Sequence, residues 1–564
     1  MKTQTENRGD TIIDAMIAGY GPKFKHKDLD GLFAAAVATP EDTERLTAAF
    51  PAQGRYHRNT KFLKHVTSSY ALGRIRYRLF AEKLIWLAKI MKRYNGVHKN
   101  RKIIRGLTRI EERELLLLGD HIDFDVLAEM LEDVTEHDTA AYADAFKFLI
   151  YRNLPQLRDY IEAVHFMDTS EDNWGNTVGL MLSELVFGHS VSAYLRLCES
   201  LLNHASEHEH VGIWQTPPAQ QNEQGMLILP AFTHWQTATP TTYIKKVTQT
   251  VSEIVKHLYR LTDGERFLPF SGKFGGITGN YDAHFAAYRD IDWFREGRRF
   301  IEGLGLEYDP LQNQCASFAT EAMHFRTLQT VNSQIIKFAK DFRFYVSCPG
   351  QLFIKPLKAG QKGSSSSPAK TNLWQIEGRF LRKHSCLLGF LADELTDYAG
   401  EGDMGRSGLM RDVGNDFSNL FIAVSRISRE LSACVPNAAN IRVVFEKYPG
   451  MCMSAMQYVL KREGYLGDAY RAIQGMVINP DGSYATRNEF MPRFQQFINK
   501  AGFSPRVRRE LMSHMDPIKL VQPIHRQAKR EMARLRSGIN ALKQIQLGTQ
   551  SLRAYFEKMA NSPK

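Results

Sequence analysis

Residues 358–377 read KAGQKGSSSSPAKTNLWQIE. The first thirteen, Lys358 to Lys370, have the glycine and serine content of a flexible loop. What surrounds them has the opposite character. Upstream, Leu328, Val331, Ile335, Phe338 and Phe342 recur every three to four residues; downstream, Phe417, Leu420, Phe421, Val424, Ile427 and Leu431 do the same. That period predicts two amphipathic helices with a loop set between them. Working further outward, Tyr70 to Lys92 predicts a third helix. A fourth follows Thr239-Pro240, with apolar positions at Ile244, Val247, Val251, Ile254, Val255, Leu258 and Leu261. Thr239 is the expected N-cap, Pro240 suits the first turn, and Asp263-Gly264 is the expected stop. Helices of about 20 residues are about 30 Å long. Several in succession, with little strand signal between them, predict an all-α fold built on an elongated central bundle. The breadth of the 417–431 stripe predicts a face that packs against another subunit.

The bulk properties narrow the class. A chain of 564 residues exceeds one ordinary core and predicts two to four domains. With 43% hydrophobic and 24% charged residues, it is globular rather than disordered. No stretch approaches the ~20 uninterrupted apolar residues of a membrane span, and MKTQTENRGD lacks the apolar run of a secretory signal. The six cysteines, Cys198, Cys315, Cys348, Cys386, Cys434 and Cys452, form no CxxC pair and no zinc-spaced cluster. They read as reduced thiols of a cytoplasmic protein, with no metal. The net charge of +12 suits an anionic partner. The basic cluster from Arg506 to Arg536 is interrupted by Glu510, Glu531 and Leu535 and reads as a solvated helix face; no nucleic-acid motif accompanies it.

Several short segments stand out in order along the chain: Gly54-Arg55-Tyr56, His137-Asp138, His165 with Thr169-Ser170-Glu171-Asp172, and Thr233-His234-Trp235-Gln236-Thr237-Ala238-Thr239-Pro240. Lys273 with Gly279-Asn280-Tyr281-Asp282-Ala283-His284 follows, then Gly363 to Asn372 with Glu377, and finally Ser407 with Arg411. Each has a bland reading in isolation. Thr169 to Asp172 alone would be a helix N-cap, and one histidine among 18 is more often structural than catalytic. Jointly and in this order, over about residues 51 to 545, they resemble the adenylosuccinate lyase family of the fumarase/aspartase superfamily. Gly363 to Asn372 resembles its G-S-S-x-M-P-x-K-x-N-P signature, and 233–240 resembles its T-H-G-Q-P-A-T-P element.

The resemblance implies β-elimination: a succinyl-nucleotide loses fumarate, with no metal or organic cofactor. It implies a homotetramer whose sites are assembled from three subunits, and a three-domain fold. The expected divisions are an extension at 1–50, an N-terminal helical domain at 51–172, a central bundle at 173–437 carrying the loop at 358–373, and a C-terminal helical domain at 438–564. Ser364 takes the family's position for the general base. Lys370 and Asn372 would meet the charge that grows on the neighbouring carboxylate, helped by a helix beginning near Trp374. His234 is the candidate acid for the leaving nitrogen, with Glu377 orienting it and His137 as the alternative donor. Thr169, Ser170, His165, Gln236 and Asn280 are candidate contacts to the succinyl and purine parts. Arg55, Lys273, Ser407 and Arg411 are candidates to hold the anionic groups, and Tyr56 belongs with Arg55 to the segment that contacts the nucleotide in the family. A polyanionic substrate is a sufficient use for the positive balance, without nucleic acid or membrane.

The chain departs from the family pattern at several places, Thr237 for the proline of T-H-G-Q-P among them. Ser367 replaces the signature methionine and Leu373 the final proline. Trp235 replaces the glycine of T-H-G-Q. Gly402 falls where the family has an arginine, and Arg406 is a candidate to restore that contact. Two other readings stay open at this stage: a lyase for another succinyl adduct such as argininosuccinate, and an inactive scaffold or interaction protein of the same fold.

Overall fold

The structure, a computed structural model, describes residues 39–46, 50–97, 105–212, 226–347, 351–356, 374–396 and 405–545, with isolated helical residues at Ala15, Ala18 and Phe33. Side chains are described for these residues except at a few helix positions, among them 374–377. Its principal helices are α1 (Ser69–Val97), α2 (Asp138–Asn153), α3 (Ser170–Ser183), α4 (Ser192–Glu207), α5 (Tyr243–Leu258), α6 (Ala319–Val346), α7 (Trp374–Glu394), α8 (Arg406–Ser432) and α9 (Pro517–Gln544). The long helical bundle expected from the sequence is present.

The stripes behave as amphipathic period demands. On α6, Leu328, Val331, Ile335 and Phe342 are buried, and α7 lies antiparallel beside it. Arg326 meets Asp393 at 2.7 Å, and Gln329 donates to the Ser385 carbonyl at 3.0 Å, which fixes that direction. On α8, Phe417, Leu420, Phe421, Val424, Ile427 and Leu431 are all buried within one chain. The breadth of that stripe therefore reflects packing on several sides inside the protomer. It leaves no apolar face over for a second subunit, contrary to the expectation. Helices α3 and α4 are joined through a π-helical stretch, Glu184–Val191, into one run from Ser170 to Glu207. That run is long and apolar enough to cross a membrane by length and composition, and 83% of its most apolar window is buried in the protein's own core.

Strand content is small but consequential. Strands β1 (Ile228–Thr233) and β2 (Gln236–Thr242) form an antiparallel hairpin, and β3 (Phe353–Ile354) pairs with β4 (Val435–Pro436). Thr239 and Pro240 belong to β2, so the predicted helix start there is wrong. Pro240 faces Pro230 across a two-stranded ladder, where each strand has a free edge and a missing N–H costs nothing. The helix begins at Tyr243 instead, capped by Thr242, whose hydroxyl accepts the Lys245 N–H at 3.3 Å. Most buried apolar side chains form one core. Residues 452–515 build a second, separate cluster, and α9 then returns to the first through Val521, Ala528, Met532, Ile539 and Leu542.

Candidate active site

The residues singled out in the sequence fall into separate groups along the bundle. The largest group lies where α1, α2, α3 and α8 meet. His137 caps α2, its Nδ1 accepting the Ala140 N–H at 3.4 Å, and its side chain is half exposed. The adjacent Asp138 is held by Arg76 at 3.1 Å and Arg411 at 2.7 Å. Burial works to raise the Asp138 carboxyl, but those two guanidinium groups outweigh it and hold it below the ordinary value. Arg76 and Arg411 both lie over the Trp174 ring, at 5.0 and 5.4 Å.

Thr169 caps α3, and Asp172 at the third helical position accepts the Thr169 N–H at 2.8 Å. The same carboxylate accepts the Gly276 N–H at 3.2 Å and faces the buried Lys273 at 3.8 Å. Lys273 is only 1% exposed and donates to the Gly276 carbonyl at 3.0 Å. Asp172 therefore pins the Thr169-Ser170 turn to the Lys273 loop. Gly279 in that loop is required: its φ is +73°, and a Cβ there would stand 1.8 Å from the Gln312 carbonyl oxygen. Asn280 follows it, exposed. His165 precedes the turn, half buried, with a left-handed φ of +60°. Ser407 begins α8 beside Arg406, also half buried.

Further charged groups gather here, and of these the sequence singled out Arg406 alone, as the candidate to restore the contact missing at Gly402. Arg406 is buried and ion-paired with Glu171, and its guanidinium lies 3.7 Å from the Phe318 ring centroid. Burial pushes the Glu171 carboxyl up, opposed by Arg406. Lys83 pairs with Asp168 at 2.7 Å. His284 is fully buried; burial and then Lys83 hold its imidazole down at about 3, so it is neutral. His284 lay inside the quoted 279–284 run. Arg76 and Lys83 gave no signal, being single cations in an amphipathic helix.

His234 lies elsewhere. It and Trp235 form the two-residue turn of the β1–β2 hairpin, with φ of +49° and +61°. Two positive φ values are the sign pattern of a type I′ turn, which favours Asn-Gly. A side chain at such a position costs roughly 1–2 kcal/mol. His234 is exposed, and Trp235 is 61% exposed with its ring 4.6 Å from that of Phe344. Gln236 opens β2, also exposed.

Helix α6 measures the separation. Phe318, against Arg406, precedes its first residue, and Phe344, against Trp235, is near its last. Twenty-six residues at about 1.5 Å each put these contacts roughly 39 Å apart. Arg55 and Tyr56 form a further group. The Tyr56 ring lies 5.6 Å from Phe380 of α7 and 5.4 Å from the Arg426 guanidinium of α8. Fifteen residues of α8, about 22 Å, separate Arg426 from Arg411.

Ser364, Lys370 and Asn372 lie outside the described residues, as does the Glu377 side chain. The described flanks of their segment are at the hairpin end of α6. On one side, Phe353 of β3 packs on Phe342 at 5.0 Å. On the other, α7 begins at Trp374 as expected, antiparallel to α6 and so at the Phe344 end. Among the described residues, no three His, Cys, Asp or Glu side chains stand where they could hold a metal ion, and no disulfide joins the described cysteines.

This geometry has relatives. A family model described as "Lyase" matches residues 130–382. The chain is similar to adenylosuccinate lyase of Dictyostelium discoideum, 27% identical over 479 residues, covering 83% of this chain and 94% of that one. It is also similar to adenylosuccinate lyase of Escherichia coli K12, 24% identical over 423 residues, covering 74% and 86%. The chain is an adenylosuccinate-lyase-like member of the fumarase/aspartase superfamily. Among solved structures, its fold resembles 3-carboxy-cis,cis-muconate lactonizing enzyme from Pseudomonas putida, with a TM-score of 0.58, 17% identity, and coverage of 86% of this chain and 98% of that one. That likeness concerns the fold alone. As a superfamily lyase, the chain carries the His234 hairpin and the Lys273–Arg411 cluster at opposite ends of one long helix.

Proposed function

We propose that this lyase releases fumarate from adenylosuccinate, leaving AMP, and from the succinylated imidazole-carboxamide ribotide of the same chemical class. The observation that carries this reading is the ordered set of motifs from Gly54 to Arg411, together with similarity to adenylosuccinate lyases along most of both chains. Ser364 takes the proton from the succinyl Cβ. Lys370 and Asn372 stabilise the charge that this places on the neighbouring carboxylate. The carbon–nitrogen bond breaks, and His234 protonates the departing nitrogen. Thr169 and Ser170, at the positive N-terminus of α3, hold a succinyl carboxylate. Lys273, Ser407, Arg411 and Arg55 hold the remaining anionic groups. Arg406 is largely committed to Glu171; its Nε and Nη1 are buried with no hydrogen-bond partner among the described residues, which leaves donors for an anionic ligand at this end.

In this reading one copy does not suffice. His234 and the Lys273–Arg411 group lie about 39 Å apart in the protomer, too far for one substrate to touch both. Copies packed antiparallel bring the hairpin end of one against the cluster end of another. In this reading the protein works as a homotetramer with shared sites, in the cytoplasm. The test is fumarate absorbance with purified protein and either adenylosuccinate or argininosuccinate. Turnover of the first alone supports the reading; turnover of argininosuccinate alone sinks it. Ser364→Ala should lower kcat by at least about 100-fold, and undiminished activity would remove Ser364 as the base. Trp235 beside His234 is the specific reason to test the second substrate, since it adds bulk where the family pattern has glycine.

A further inference from the structure

Trp235 is held at φ +61°, where glycine is favoured, and most of its ring faces outward. A large aromatic kept exposed in an unfavourable backbone conformation calls for a use. Its ring stands at the rim of a cleft of about 790 Å³ between the hairpin and the helices following β4. That size falls within the range of small-molecule sites. Phe344 backs Trp235 on one side. Tyr448 and Tyr484, packed edge to face at 5.9 Å, also line the cleft, as does Tyr470, which is 60% exposed. Gln236 and Gln474 also line the cleft, and each amide carries both donor and acceptor groups. Lys447 is the one charged side chain among the described residues lining the cleft, and its ammonium lies 5.4 Å from the Tyr448 ring centroid.

Aromatic faces select a flat ring, amide edges select a heteroaromatic one, and a lone cation without a carboxylate selects an anion. We propose that this cleft is a nucleotide-binding site, with the base stacked on Trp235 and the phosphate toward Lys447. Within one protomer it lies at the far end of α6 from the Lys273–Arg411 cluster, and it does not require that the protein be a lyase. Because Trp235 and His234 share one two-residue turn, occupancy fixes the backbone that carries His234.

The test is titration of the full-length protein with AMP and with adenosine, following tryptophan fluorescence, with stoichiometry from calorimetry. AMP should quench the wild type, and Trp235→Gly should abolish the quench with the melting temperature within a few degrees, because glycine fits φ +61°. Lys447→Ala should weaken AMP at least tenfold and leave adenosine unchanged. Lys273→Met should retain the Trp235 quench even where fumarate release is lost, so failure of the lyase reading leaves this site intact. A quench that survives Trp235→Gly, or AMP binding abolished by Lys273→Met and untouched by Lys447→Ala, overturns the proposal. So does the absence of any AMP quench.

Discussion

Arg406 and Glu171 bury opposite charges against each other where α8 starts beside α3. Removing one partner strands the other in a low-dielectric site, which typically costs about 3–5 kcal/mol. Arg406→Met should lower unfolding stability by that amount in urea, and Glu171→Gln added to it should recover part of the loss. A cost below about 1 kcal/mol for Arg406→Met would contradict a buried pair. His284 supplies a pH-dependent counterpart. Its folded value of about 3 lies below the ordinary histidine value, so its contribution is complete above about pH 6.5 and is lost as pH falls toward 3. The stability difference between wild type and His284→Gln should therefore shrink below pH 6.5, by up to about 1.4 kcal/mol per pH unit. A difference independent of pH between 7.5 and 4.5 would rule this out.

The elements were legible where period alone decides them. The stripes of α6 and α8 and the start of α7 at Trp374 follow from side chains that must share a face. The hairpin was not legible, because a Thr-Pro step suits both a helix's first turn and an edge strand; pairing of 236–242 with 228–233 decides it, and that is a tertiary fact. The candidate site residues stand in the sequence as motifs, but how the fold distributes them does not show there. Spacing along the chain does not say that Thr239-Pro240 and Ser407 end up at opposite ends of α6. Nor did it single out Arg76 or Lys83, whose roles come from what α1 packs against. The cap of α3 gives an element-scale prediction. Asp172→Ala releases both the Thr169 and the Gly276 N–H and removes the carboxylate that faces Lys273. It should cost at least about 2 kcal/mol by urea unfolding, and a loss under 0.5 kcal/mol would show that Asp172 does not tie these segments together.

At the scale of the whole molecule, the central claim is that one protomer carries parts of different active sites, the hairpin at one end of the bundle and the Lys273–Arg411 cluster at the other. Separately inactive variants then carry damage in different halves of each site. His234→Gln and Lys273→Met should each abolish fumarate release from adenylosuccinate. Unfolding both, mixing them and refolding together produces hybrid assemblies, some of whose sites take an intact hairpin from one copy and an intact cluster from another. Fumarate absorbance should reappear in the mixture and be absent from each variant refolded alone. If the mixture stays as inactive as its parents while wild type refolded the same way is active, the division of the site between copies is wrong.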